Sequence, residues 1–272
     1  MKKAKIDGSR VLITGASSGI GRATSIELAK RGAILALTAR RLKTLRKVSD
    51  EIKDAFPEIQ APLSIPSDVS DKEDAIRLVK KCVDYLGGID ILINNAGIGV
   101  YGNAEMTTLE DFRSVMEVNF FGSVNCILEV LPHMKEIGKG LIINIASVAA
   151  MHGIPYAGAY SASKAALVAL SQSLRAELAK NGISIMVVYP GYTQTNFFKI
   201  EKNVGGARRP AGPYAPATRV ARSIIKAIES EKRDLVLSLG GKTLKFSQSL
   251  MPWLAERAMQ RIAYKLADKK EI

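Results

Sequence analysis

Three side chains in this sequence have the types and spacing to move a proton: Ser147, Tyr160 and Lys164. Tyr160 and Lys164 stand four residues apart, on one face of a helix. A free phenol, with a pKa of about 10, is a poor acid or base at neutral pH. A nearby ammonium stabilises the phenolate and brings that pKa toward the working range. Ser147 closes the apolar run Leu141–Ala146, so its hydroxyl can hydrogen-bond a substrate carbonyl as charge develops on the oxygen. Alone, a Tyr-x-x-x-Lys pair is by default a surface pair. The serine at a strand end gives it weight.

A second group of residues could hold phosphates. A short apolar run enters Thr14-Gly15-Ala16-Ser17-Ser18-Gly19-Ile20-Gly21, and a helical pattern begins where the glycines end. Glycines let the backbone approach a pyrophosphate, and the helix start offers free N–H groups with a partial positive charge. The competing reading is a tight strand–helix turn with no ligand, but the strand-then-helix context is the one a dinucleotide site needs. The next run ends Thr38-Ala39-Arg40-Arg41. An NAD site commonly carries a carboxylate there for the ribose hydroxyls. Two guanidinium groups instead suit a 2′-phosphate, so NADP(H) is the expected cofactor. Ser18 is neutral, so a second basic contact sometimes used for that phosphate is missing.

These groups need elements to position them. Candidate strands are Arg10–Thr14, Ala33–Thr38, Ala61–Ser67, Ile89–Asn94, Leu141–Ala146, Ile183–Tyr189 and Leu235–Ser238. Helical periodicity marks Ile20–Lys30, Leu42–Phe56, Lys72–Leu86, Leu109–Met134 and Ala157–Lys180. Continuous apolar strands alternating with helices predict an α/β fold: a doubly wound parallel sheet of about seven strands covered on both faces. Residues 1–240 read as one catalytic domain. Within it, residues 193–216 carry Gly205, Gly206, Arg208, Arg209, Pro210, Gly212, Pro213 and Pro216, and read as a substrate loop or lid.

Residues 241–272 read as an amphipathic extension of that domain. Leu250, Leu254, Ala258, Ile262 and Leu266 recur every four residues, widened by Met251, Ala255 and Met259, with Trp253 near the start. Arg257, Arg261, Lys265 and Lys269 run beside them. Three readings stay open: docking on its own domain or a sister subunit, covering the substrate entrance, or peripheral contact with an anionic membrane.

Bulk composition narrows the partners. The 272 residues are 47% apolar and 24% charged, an ordinary globular balance, with a net charge of +13. That charge favours acidic small molecules first and lipid head groups second, and no nucleic-acid motif is visible. No unbroken apolar run approaches the roughly 18 residues of a membrane span. Val11–Ile13 is too short for a leader's apolar stretch of about 7 to 15 residues, so a cytoplasmic location is expected. Cys82 and Cys126 are isolated, which reads as two buried thiols. His133 and His152 have no metal-ligand spacing; His152 either borders the pocket or is structural.

With these residues in hand, the chain resembles the short-chain dehydrogenase/reductase family, in its compact single-domain, Rossmann-type branch. The likeness covers about residues 6 to 240. It rests on Thr14–Gly21, Asp68-Val69, Asn94-Asn95-Ala96-Gly97, Asn119, Ser147, Tyr160, Lys164 and Pro190-Gly191-Tyr192-Thr193-Gln194-Thr195. It implies that Tyr160 is the general acid in reduction and the base in oxidation, and that Ser147 orients the carbonyl. Lys164 would bind the nicotinamide ribose and tune Tyr160, and Asn119 would hold a water-mediated proton relay. For the cofactor it implies Gly15, Ser17, Ser18, Gly19, Ile20 and Gly21 at the pyrophosphate, and Asp68 and Val69 flanking the adenine. Asn95, Ala96 and Gly97 would line its path; Pro190, Gly191, Thr193 and Thr195 would close over the nicotinamide and phosphates. Asn94 would either line or brace the sheet.

The run from Ser173 to Leu178, followed by Gly182-Ile183-Ser184, is similar to carbonyl reductases of apolar substrates. A homodimer or homotetramer through Leu109–Met134 and Ala157–Lys180 is implied as well. Two other readings remain: an NADP(H)-binding redox sensor or interaction protein with little turnover, and an epimerase or dehydratase. The short tail speaks against the last.

Overall fold

Apolar strands in a parallel sheet need cover on both faces. The computed structural model describes residues 6–205, 214–238, 240–244 and 251–266. Numbered along the chain, the main sheet comprises β1 (Arg10–Thr14), β2 (Ile34–Ala39), β3 (Leu63–Pro66), β4 (Ile91–Asn94), β6 (Gly140–Ile145), β7 (Ile183–Tyr189) and β11 (Asp234–Val236). These seven strands lie in the order β11-β7-β6-β4-β1-β2-β3, all parallel. The order reverses between β1 and β4, and this leaves a crevice at their C-terminal ends.

Alternation along each strand feeds two cores. Val11 and Ile13 of β1 face one side, where Leu28 of α1 (Gly19–Ala29), Leu45 and Val48 of α2 (Leu42–Ala55) and Ile224 of α8 (Ala217–Glu229) bury them. Leu12 faces the other side, against Leu78 of α3 (Lys72–Leu86) and Ile127 of α5 (Gly122–Ile137). There Leu170 and Leu174 of α6 (Gly158–Glu177) also pack. Cys82 and Cys126 belong to this second core, and burial pushes both thiols up to about 12, so neither is a thiolate at neutral pH.

Local chemistry sets the helix ends. Asp71 caps α3 by accepting from the Asp74 N–H at 2.7 Å, and Gly87, at φ 74°, closes it in the left-handed region. Thr108 and Asp111 form a reciprocal capping box on α4 (Leu109–Met116). A π turn over Glu117–Phe121 then joins α4 to α5, so the expected helix over Leu109–Met134 is one run with an extra residue inserted beside Asn119. Within this 29-residue run an 18-residue window reaches a mean hydropathy of 1.3, long and apolar enough by length and composition alone to cross a membrane. No unbroken apolar stretch shows that in the sequence. In the fold, Cys126, Ile127, Val130 and Met134 spend its apolar character on the core.

The segment 193–216, expected as a substrate loop or lid, carries short elements of its own. It holds β8 (Thr193–Gln194), α7 (Phe197–Ile200), β9 (Lys202–Val204) and β10 (Ala215–Pro216). β9 pairs with β5 (Val100–Gly102), and β10 pairs with β8. The Lys202 ammonium donates to Asp111 at 2.7 Å, which ties this segment to the start of α4. Gly206, Arg208, Arg209, Pro210, Gly212 and Pro213 lie outside the described residues. Beyond β11 come a helical turn at residues 240–244 and a C-terminal helix, Pro252–Leu266; Leu250 and Lys269 fall outside the described residues.

Candidate active site

The crevice at the β1/β4 switch opens into a cavity of about 520 Å³. Its floor is the turn after β1. Gly15 and Gly19 take φ of 63° and 56°, which side chains rarely adopt. A Cβ on Gly15 would lie 2.8 Å from Ala96 Cα, and one on Gly19 would lie 3.0 Å from Thr195 Cβ. Asn95 holds the turn closed: its Nδ2 donates to the Thr14 and Gly15 carbonyls at 2.9 and 3.1 Å. At the start of α1, the N-cap Ser18 makes no side-chain cap bond, and the first turn carries no acid. The helix start therefore presents free N–H groups to the cavity that Ser17, Ser18, Gly19 and Ile20 border, a fitting seat for a pyrophosphate.

Arg40 and Arg41 follow β2, border the same cavity and are exposed. Neither guanidinium has an ion-pair partner among the described residues. Between them and the glycines, the Thr38 hydroxyl is buried with no hydrogen-bond partner, a gap that a polar ligand could fill. Asp68 and Val69 border the far end of the cavity. The Asp68 carboxylate accepts from Ser70 N and Oγ at 3.1 and 2.6 Å, so the turn after β3 holds it in place.

At the other end, β6 delivers Ser147 and α6 delivers Tyr160 and Lys164. Ser147 Oγ accepts from Ala149 N at 3.1 Å, which fixes its rotamer, and it also hydrogen-bonds the Tyr160 hydroxyl. Lys164 is buried, with Nζ donating to the Ile145 carbonyl at 2.8 Å and lying 6.0 Å from the Tyr160 ring centre. Burial pushes the Tyr160 phenol up to about 12, against the smaller downward pull of Ser147. Burial also pulls the Lys164 ammonium down to about 8. The expected lowering of the phenol by its lysine is not seen in the free chain: desolvation dominates both groups, and the only downward pull on the phenol comes from Ser147. Tyr160 is a protonated donor at neutral pH, and Lys164 sits close to its titration point. Such a pair can deliver a proton to an oxygen placed against Ser147 and Tyr160.

The cavity borders every site residue expected from the sequence except Gly21 and Asn119. Gly21 lies beneath the turn, where a Cβ would be 2.5 Å from both Gly15 O and Asn95 Nδ2, so it permits close packing and touches no ligand space. The Asn119 side chain is consumed by the protein. Its Oδ1 accepts from Ile98 N at 2.8 Å, and its Nδ2 donates to Ile98 O at 3.0 Å and to Ser163 Oγ at 2.9 Å. It braces the loop after β4 against α6, one residue from Lys164. Asn94 donates to Asn144 Oδ1 at 2.9 Å and so braces the sheet. His152 does not border the cavity; its Nδ1 faces the Gly153 carbonyl at 2.9 Å.

Sequence reading passed over the apolar wall opposite Tyr160. Tyr101, Ile154, Phe197, Phe198 and Ile200 border the cavity, and Tyr192, expected only as part of the Pro190–Thr195 motif, joins them. The Phe197 ring lies 5.5 Å from that of Tyr160, and Tyr192 stacks on Tyr214 at 5.3 Å. Paired aromatics inside the segment 193–216 were the available signal.

The comparisons agree with this geometry. A family profile described as short chain dehydrogenase matches residues 9–203. The chain is 35% identical over 264 residues to 11-beta-hydroxysteroid dehydrogenase A of Arachis hypogaea, covering 92% of this chain and 74% of that one. The 3-ketoacyl-(acyl-carrier-protein) reductase from Brucella melitensis, complexed with NADH, superposes with a TM-score of 0.76 at 27% identity, over 85% of this chain and 97% of that one. An alcohol dehydrogenase from the archaeon Thermococcus sibiricus, complexed with 5-hydroxy-NADP, gives a TM-score of 0.75 at 28% identity, over 85% and 96%.

Proposed function

The chain belongs to the short-chain dehydrogenase family of nicotinamide-dependent oxidoreductases, and from that premise we propose that it uses NADPH to reduce an apolar ketone or aldehyde to the alcohol. The observation that carries this reading is the Tyr160 hydroxyl held on Ser147, beside buried Lys164, under a wall of aromatic side chains. Ser147 orients the carbonyl oxygen, and Tyr160 gives it a proton as the carbon is reduced. Lys164 supplies the positive charge that stabilises the phenolate left behind. When bound, the reduced nicotinamide supplies the hydride.

The turn Gly15–Ile20 would hold the pyrophosphate, Asp68 and Val69 the adenine, and Asn95, Ala96 and Gly97 the path between. Pro190, Gly191, Thr193 and Thr195 would close over the nicotinamide end. Arg40 and Arg41 favour NADPH, since no carboxylate ends β2 and a guanidinium matches a phosphate in two directions. The related solved structures carry NADH in one case and an NADP derivative in the other, so the choice rests on this chain's own arginines. An apolar carbonyl fits the wall of Tyr101, Tyr192, Phe197 and Phe198. The names of the steroid dehydrogenase and ketoacyl reductase relatives point the same way.

The test is NADPH oxidation across steroid ketones, long-chain ketones, ketoacyl thioesters and sugars, repeated with NADH. Turnover should concentrate on the apolar carbonyls, and NADPH should bind at least about tenfold more tightly than NADH (about 1.4 kcal/mol). Arg40→Ala should erase most of that preference. Equal affinities in the unmodified chain would refute the cofactor assignment, and NADPH binding with no turnover on any carbonyl would refute the reductase.

A further inference from the structure

The C-terminal helix Pro252–Leu266 docks with only part of its surface. Successive residues of a helix lie about 100° apart. On that wheel Ile262, Ala255, Leu266, Met259 and Ala263 form one arc. Ala255 and Leu266 are 3% and 6% exposed, and the other three are half-buried. Part of the anchor is Tyr156, whose hydroxyl donates to the Ala263 carbonyl at 3.3 Å. Tyr156 holds a strained φ of 65° and packs beside Tyr101, a wall of the cavity. The helix is thereby fixed next to the site, and a second arc is left in water.

That second arc, about 120° wide by the same geometry, has a mixed character. Trp253, Leu254 and Tyr264 lie on it, 53%, 40% and 75% exposed. Arg257, Arg261 and Lys265 are interleaved with them, all exposed, and Arg257 lies over the Trp253 ring at 5.2 Å. The helix's one acid, Glu256, falls outside this arc. Its own domain does not need the face, because the docking arc already anchors the helix.

We propose that this face lies on an anionic lipid surface. Trp and Tyr rings place an apolar body among acyl chains and a polar edge at the head groups. Arg and Lys extend apolar stems along the same depth and leave their charge at the phosphates. The acid-free row of three cations complements a negatively charged leaflet, and the chain's net charge of +13 adds long-range attraction. A nucleic acid would use the cations but leave Leu254 in water, so the aliphatic part of the face favours lipid. The reading is independent of which carbonyl the site reduces.

Trp253 is the chain's single tryptophan, so its fluorescence reports on this face alone. Full-length protein is mixed at low salt with phosphatidylcholine vesicles, with mixed phosphatidylcholine–phosphatidylserine vesicles, and with a DNA duplex. The proposal expects a blue shift and co-sedimentation with the anionic vesicles only, both reduced at high salt. Each cation contributes about fivefold to binding, so Arg257→Gln, Arg261→Gln and Lys265→Gln together should weaken it about a hundredfold. Trp253→Ala, followed by sedimentation, should weaken it too. All four residues are exposed, so circular dichroism of the variants should match that of the parent, which separates lost binding from lost folding. No shift with anionic vesicles at low salt overturns the proposal. So does an equal response to the duplex, or a blue shift that grows with protein concentration without lipid, which would assign the face to a second copy.

Discussion

Desolvation sets the protonation of the two groups that matter most. Tyr160, pushed up to about 12, is a proton donor throughout the physiological range. Removing only its hydroxyl should therefore remove the chemistry: Tyr160→Phe is expected to lower turnover about 10²–10⁴-fold while cofactor affinity stays nearly unchanged. Activity above a hundredth of the parent's would end the general-acid role. Lys164 titrates near 8 instead of 10.5. As pH rises through about 8 its charge disappears, the phenolate loses its stabiliser, and carbonyl reduction should slow; in Lys164→Met this alkaline limb should be absent. Stability moves the other way. The folded pKa is depressed, so the cost of the buried ammonium is fully present below about 8 and is relieved as pH approaches 10.5. Denaturation at pH 8 and 9.5 should show the parent gaining stability relative to Lys164→Met, and no gain would mean that Lys164 is not desolvated. Residue types and spacing exposed Ser147, Tyr160 and Lys164 in the sequence. They did not expose that burial, and not the lysine, sets the phenol's pKa in the free chain, because desolvation is a property of the packed surroundings.

At the scale of elements, local patterns were legible and long-range pairings were not. Each main strand is a short apolar run bounded by turn residues, so the sheet could be read to within a few residues; β1 and β7 match their expected spans. The ladder between β5 and β9 joins segments about a hundred residues apart through three pairs, too few to leave a periodic signal. The helix α8 was not marked from the sequence, although Val220, Ile224, Ile225 and Ile228 recur there at helical spacing. The resemblance gave Gly21 as a cofactor contact and Asn119 as part of a proton relay; in the fold Gly21 lets α1 pack closely on the turn after β1, and the Asn119 side chain ties the loop after β4 to α6. That distinction is measurable at Gly21. Alanine there would put a methyl 2.5 Å from Gly15 O and Asn95 Nδ2, so the start of α1 must move away from β4. Gly21→Ala is expected to weaken NADPH binding more than about tenfold by calorimetry, although no atom of Gly21 borders the cavity. Unchanged affinity would show that the turn tolerates the methyl and that helix placement does not tune the site.

Across the whole molecule, among the described residues, a second face besides that of the C-terminal helix is explained by neither the cores nor the site. On the sheet face covered by α3 and α5, Phe121 at the end of the π turn and Leu128 of α5 are 43% and 59% exposed, although the opposite side of α5 is core. On the same side of the sheet, α6 exposes Ala162, Ala165 and Ala169, a face of small side chains over which another backbone can pass closely. Apolar residues of this size rarely line up on two helices of a monomer without a partner. A two-fold pairing of identical faces would cover Phe121 and Leu128 with the same residues of a second copy. Since α6 also carries Tyr160 and Lys164, such a pairing would stiffen the helix on which the proton donor stands. The expected state is a homodimer or homotetramer at micromolar concentration by light scattering. Leu128→Glu combined with Ala165→Arg, both exposed, should yield a folded monomer that still binds cofactor. It should also turn over more slowly, because α6 has lost its outer support. A parent chain that scatters as a monomer would defeat the pairing. A dissociated variant with full activity would show that assembly serves something other than the site.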